Sequence, residues 1–169
     1  MAVFNDYIDT NIRNGRLTGG LSAQGTRVVQ LVASFETVAA DDAGSIYRVF
    51  KGIPSSAVPL MIGIATDGVT SMSDVDVCLY QVGAGNPEVG SEVLASALDL
   101  SSAVTFATAL SGIGNGMGNI TRDNYGKSLW ELAGETITSK KSHYDIGLKS
   151  VADLAEADRI VVIAKFAFP

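Results

Sequence analysis

The chain has 169 residues, of which 47% are hydrophobic and 18% charged, with a net charge of −6. The low charged fraction, below the usual ~25%, and the apolar content exclude a disordered acidic tail. The acidic balance argues against a nucleic-acid binder, which needs a basic surface to neutralise phosphates.

Residues 1–26 stand apart. They mix Asn, Asp, Thr, Gly and Arg with isolated Phe4, Tyr7, Ile8, Ile12 and Leu17, and they end in TGGLSAQGT. No hydrophobic period is sustained, so the segment reads as an extended N-terminal arm. Its apolar side chains Phe4, Tyr7, Ile8 and Ile12 are candidate anchors on a neighbouring molecule. The start lacks the basic and apolar blocks of a secretory signal.

From residue 27 to 169 the chain reads as one β-sandwich domain. RVVQLVASFE (27–36) alternates, with Val29, Leu31, Ala33 and Phe35 on one face. AADDAG (39–44) is a turn, and SIYRVFKG (45–52) a second strand. VPLMIGIAT (58–66) is nearly all apolar, which predicts burial on both faces, with Pro59 at the strand start or on an edge. SDVDVCLYQV (73–82) places Val75, Val77 and Leu79 opposite Asp74, Asp76, Cys78 and Tyr80. GAGNPEVG (83–90) is a long turn. The stretch 92–110 is mixed, with a strand expected near Val104 to Thr108.

A helix of about three turns is predicted in TRDNYGKSLWELAG, capped by Thr121 and stopped by Gly134. Tyr125, Leu129 and Leu132 share its apolar face, and Trp130 lies to one side as a further contact candidate. HYDIGLKS (143–150) and RIVVIAKFAF (159–168) are the last strands. Seven or eight short strands separated by frequent turns predict an all-β antiparallel sandwich, jelly-roll-like, with one short α-helix.

The residues offer little chemistry. Cys78 and His143 are each the single residue of their type, so neither a disulfide nor a Cys/His zinc cluster is available. The glycines at 112, 114, 116 and 118 do not fit a dinucleotide fingerprint, and Gly126-Lys127-Ser128 lacks the upstream glycine of a phosphate loop. Asp74 and Asp76 point the same way on a strand. Together with Asp41 or Asp42 they make the one plausible cation set, against the plainer reading of a solvated acidic face. No catalytic, cofactor or metal residue is assigned.

Several stretches together carry a resemblance: DVDVCLYQVGAG, ASALDLSSA, ITRDNYGKSLWELAGE, HYDIGLKSV and RIVVIAKFAF. In this order they resemble the small decoration or cement proteins of tailed-bacteriophage heads, over roughly residues 45–169. The resemblance implies a jelly-roll-like sandwich that clamps major capsid proteins on the outside of the head. The implied partners are the major capsid protein and further copies of the chain, as a homodimer or homotrimer, with no cofactor, nucleic acid or membrane. The implied location is the outer surface of the virion, after synthesis in the host cytoplasm. The alternative is a carbohydrate- or receptor-binding sandwich on a virion, using exposed aromatics as a platform.

Overall fold

A computed structural model describes residues 4–5, 27–83, 85, 87–105 and 115–168. Among the described residues eight strands run in chain order: β1 (Phe4–Asn5), β2 (Arg27–Glu36), β3 (Ile46–Pro54), β4 (Val58–Thr66), β5 (Val75–Gln81), β6 (Glu88–Leu98), β7 (His143–Ser150) and β8 (Arg159–Phe168). They form an all-β sandwich of two sheets. One has five strands in the order β1-β3-β7-β5-β6, the other three in the order β2-β8-β4. All pairings are antiparallel except the two-residue parallel match of Phe4 and Asn5 with Ile46 and Tyr47.

Period-two alternation decides which side chains enter the core. Ala33 and Phe35 of β2 and Ile160, Val162, Ala164 and Phe166 of β8 face inward from the smaller sheet. Val75, Val77 and Leu79 of β5 and Tyr144, Ile146 and Leu148 of β7 face inward from the larger one. Phe35 stacks on Tyr47 across the gap, with ring centroids 5.0 Å apart. A short 3-10 helix, Asn115–Met117, packs between β4 and β6 and buries Met117. The inward sets of β2, β5 and β7 are those that alternation predicts.

Three expectations are corrected. The helix is a single turn, α1 (Leu129–Leu132), not a run of about three turns from Thr121. Residues 122–126 form turns, and Gly126 sits at φ +89, a left-handed conformation that interrupts a right-handed helix. The start signal lies at Ser128, whose N–H and hydroxyl both donate to Glu131 Oε2, at 2.8 and 2.5 Å. This is the Ser-x-x-Glu spacing of a helix start, and the Ser128 bond holds the Glu131 carboxyl below its usual pKa. Tyr125, expected on the apolar face, is exposed. Gly134 does end the helix, at φ +70.

The second correction concerns β4. Among the described residues it stands last in the order of its sheet, and its outward residues Val58, Met61 and Ala65 are only half-buried, so it is not covered on both faces. Pro59 near its start is compatible with that edge position. The third concerns the stretch after residue 87. Glu88–Leu98 is a continuous strand, with bulges against β5 and Ala97 at φ +51. Val104 makes one isolated bridge to Thr66, and residues 106–108 of the expected strand lie outside the described residues.

Candidate interaction surface

Each sheet has a side turned away from the core, and the two sides differ in chemistry. On the five-stranded sheet this side carries Ile46 and Arg48 of β3, Asp145, Gly147 and Lys149 of β7, and Asp76, Cys78 and Tyr80 of β5. Arg48 and Asp145 are both buried, and Arg48 donates to Asp145 Oδ2 at 2.8 Å. The other oxygen of Asp145 accepts the Gly52 N–H at 2.7 Å, where β3 bulges away from β7. The ring of Tyr80 lies over Gly147 so closely that a Cβ there would sit 2.9 Å from Tyr80 Cε2.

The Tyr80 hydroxyl is buried without a hydrogen-bond partner among the described residues. Burial pushes its ionisation far above the ordinary phenol range, and Cys78 and Glu88 add to the shift. Lys149 pairs with Glu88 at 3.2 Å. Burial opposes the ammonium charge, but Glu88 outweighs it and the Lys149 pKa is raised.

The aspartates of the expected cation set are dispersed among other tasks. Asp76 is buried and accepts the Ala97 N–H at 3.2 Å. Asp41 is buried and accepts the Tyr47 hydroxyl at 2.6 Å. Asp74, Asp76, Ser96 and Lys149 line one shallow groove. Among the described residues no group of three His, Cys, Asp or Glu side chains is placed to hold a metal ion. His143 opens β7 as an exposed residue, and Cys78 is fully buried.

The three-stranded sheet presents the opposite character. Its register aligns outward rows across β2, β8 and β4: Val28–Ala167–Val58, Gln30–Lys165–Met61, Val32–Ile163–Gly63 and Ser34–Val161–Ala65. Val28 is 45% and Val32 47% exposed, and Val161, Ile163 and Ala167 are half-buried. Lys165 is the one charge within these rows. Large exposed apolar areas on a folded domain mark contact sites. Alternation placed Val28 and Val32 on one side of β2, but only the pairing with β8 and β4 shows that three strands turn apolar residues outward together.

The contact candidates fall in different places. Phe4 lies in β1, alongside Ile46 at the edge of the five-stranded sheet. Tyr7, Ile8 and Ile12 lie outside the described residues. Trp130 is half-buried in α1, packs on the core and carries the Lys140 ammonium 5.2 Å from its ring centroid. Of the candidates among the described residues, Phe4 and Trp130 thus stand on separate elements, β1 and α1.

No protein-family model and no curated protein matches the chain. Among solved structures it is similar to one described as a cyanophage Pam1 capsid asymmetric unit. That match has 14% sequence identity and a TM-score of 0.49, over 95% of this chain and 99% of that one.

Proposed function

We propose that the chain is a non-enzymatic structural subunit of a virus head. In this reading it is a cement or decoration protein that binds the outer surface and braces contacts between major capsid proteins. The observation that carries the reading is the apolar outward side of the three-stranded sheet, around Val28, Val32, Val161 and Ile163. The sequence resemblance to head decoration proteins supports it independently. A shell protein works by burying surface repeatedly. Contacts of about 1,000 Å² or more, multiplied by many copies, hold a pressurised container without covalent chemistry. The net charge of −6 suits a position away from packaged DNA.

The arm supplies a second attachment element, with Phe4 and Tyr7 as its aromatic anchors. The test is re-attachment to heads stripped of this protein. Full-length protein is expected to rebind and to raise the heat resistance of the heads. Protein lacking residues 2–17 is expected to stay folded and bind more weakly. Equal binding by both forms would remove the arm from the account, and failure of the full-length protein to bind would remove the function.

A further inference from the structure

We infer that this chain associates with further copies of itself head to tail, the basic end of the sandwich in one copy seated on the acidic end of the next. The contact is a property of the isolated chain and does not rest on the capsid reading.

Register defines the two ends. β3, β5 and β7 meet at Ile46, Val75 and Ser150 on one side and at Pro54, Gln81 and His143 on the other. β3 has nine residues, so at about 3.3 Å each the ends lie about 25 Å apart. Backbone hydrogen bonds tie the loops of each end into one surface. At the first end the N–H groups of Thr37, Leu154 and Val151 donate to the carbonyls of Asp158, Asp41 and Asp74. At the second end those of Ser55 and Leu129 donate to the carbonyls of Ser142 and Ala57.

The charges divide between these ends. Residues 36–45, 66–76, 97–104 and 149–159 carry ten carboxylates against two basic side chains, Lys149 and Arg159, a net charge of −8 against −6 for the whole chain. Residues 27–30, 51–58, 81–88, 124–142 and 165–168 carry six basic against three acidic side chains, a net charge of +3. Two basic side chains, Arg13 and Arg16, lie outside the described residues, too few to neutralise the acidic end.

The basic end also offers apolar contact area. Ile137 is 75% and Tyr125 54% exposed, and Trp130 is half-buried beneath the Lys140 ammonium. Exposed aromatic and aliphatic groups supply burial at an interface, and charge sets its orientation. The acidic end is fixed in advance: Asp153 accepts the Ala43 N–H at 2.6 Å and Glu156 the Thr70 N–H at 2.5 Å. Carboxylates held in place lose little freedom when a partner docks. Copies stacked in one direction bring unlike ends together at every contact, whereas contacts between like acidic ends repel. The occupant that complements the acidic end is therefore the basic end of a second copy. Such a contact is heterologous, so it continues past two copies until a ring closes.

Sedimentation of the full chain at about 50 mM salt is expected to show concentration-dependent species beyond the dimer, weakened about tenfold or more at about 0.5 M salt. Carbodiimide coupling in a mixture of isotopically light and heavy protein is expected to join Lys127, Lys140 or Lys141 of one copy to carboxylates of the acidic end of another. Lys140→Glu with Lys141→Glu removes the basic end, and Glu36→Lys with Asp67→Lys weakens the acidic end. Each double variant is expected to be folded and monomeric, and mixing the two should restore association that stops at a pair. A monomer at low salt, association that strengthens with salt, inter-copy coupling that avoids one of the ends, or folded variants that stay monomeric when mixed would each overturn the inference.

Discussion

The outward side of the five-stranded sheet is polar and sealed, whereas that of the three-stranded sheet is apolar and open. This reverses the usual arrangement, in which a sheet packs apolar residues inward and turns polar ones to water. On the larger sheet the reversal is held together by satisfied charges: Arg48 with Asp145, Asp145 with the Gly52 N–H, and Lys149 with Glu88. On the smaller sheet Val28 and Val32 stay nearly half exposed, with no polar group over them among the described residues. Polarity alone therefore does not mark a contact surface. The informative feature is polarity that disagrees with burial, and of the two outward sides among the described residues the smaller sheet's leaves aligned apolar residues exposed.

The sharpest break in this comparison is expected at the buried ion pair. Asp145→Ala should destabilise the fold by about 3–5 kcal/mol in urea unfolding, because it strands the Arg48 charge and the Gly52 amide. Replacing both partners, as Arg48→Met with Asp145→Leu, should recover much of that loss. If the single substitution costs no more than the double, the pair does not hold the sealed side together.

A smaller effect is expected where Tyr80 covers Gly147. Gly147→Ala forces a Cβ toward Tyr80 Cε2, Ile46 Cγ2 and the Tyr47 carbonyl, the last two at 3.3 Å. Overpacking of this kind should cost about 1–3 kcal/mol. A neutral result in urea unfolding would show that the Tyr80 ring is free to lift from the sheet.

Tyr80 also gives the sealed side a pH signature. Its ionisation is raised in the folded state, first by burial and then by Cys78 and Glu88. The unfolded chain therefore loses this proton before the folded one does. Stability is complete below the ordinary tyrosine value of about 10 and falls above it, by up to about 1.4 kcal/mol per pH unit for this group. Tyr144 is shifted the same way, by burial and its bond to Glu135, so it adds a parallel loss. Tyr80→Phe should flatten the alkaline slope and leave neutral-pH stability unchanged or slightly raised, since the buried hydroxyl has no full hydrogen-bond partner among the described residues. An unchanged slope would contradict the buried phenol.

The smallest expected effect on folding belongs to the open side. Val32→Lys should alter fold stability by no more than about 0.5 kcal/mol while reducing binding to stripped heads. A large loss of fold stability would mean that Val32 is already part of a packed layer.

Much of the fold is readable from alternation. The inward sets of β2, β5 and β7 follow from period-two spacing, and the strand count with its turns leads to an all-β sandwich. The misread places share a physical cause. Residues 121–134 have helical apolar spacing, but one glycine at positive φ confines the helix to its last turn. VPLMIGIAT has the composition of a strand buried on both faces, yet its outward residues Val58, Met61 and Ala65 stay half-buried, because how far a face is covered depends on the whole chain. The outward apolar rows of the smaller sheet are least legible. Val28 and Val32 look like ordinary strand residues until Val161, Ile163, Met61 and Ala65 are placed beside them by a register spanning more than a hundred residues.

The central claim is that this chain is a stoichiometric component of a virus head. The direct measurement is the molar ratio of this protein to the major capsid protein in purified intact particles, with surface labelling of the same particles. The account predicts a fixed ratio and labelling of this protein from outside. Its absence from intact particles, or a ratio that changes with washing and preparation, would contradict the account.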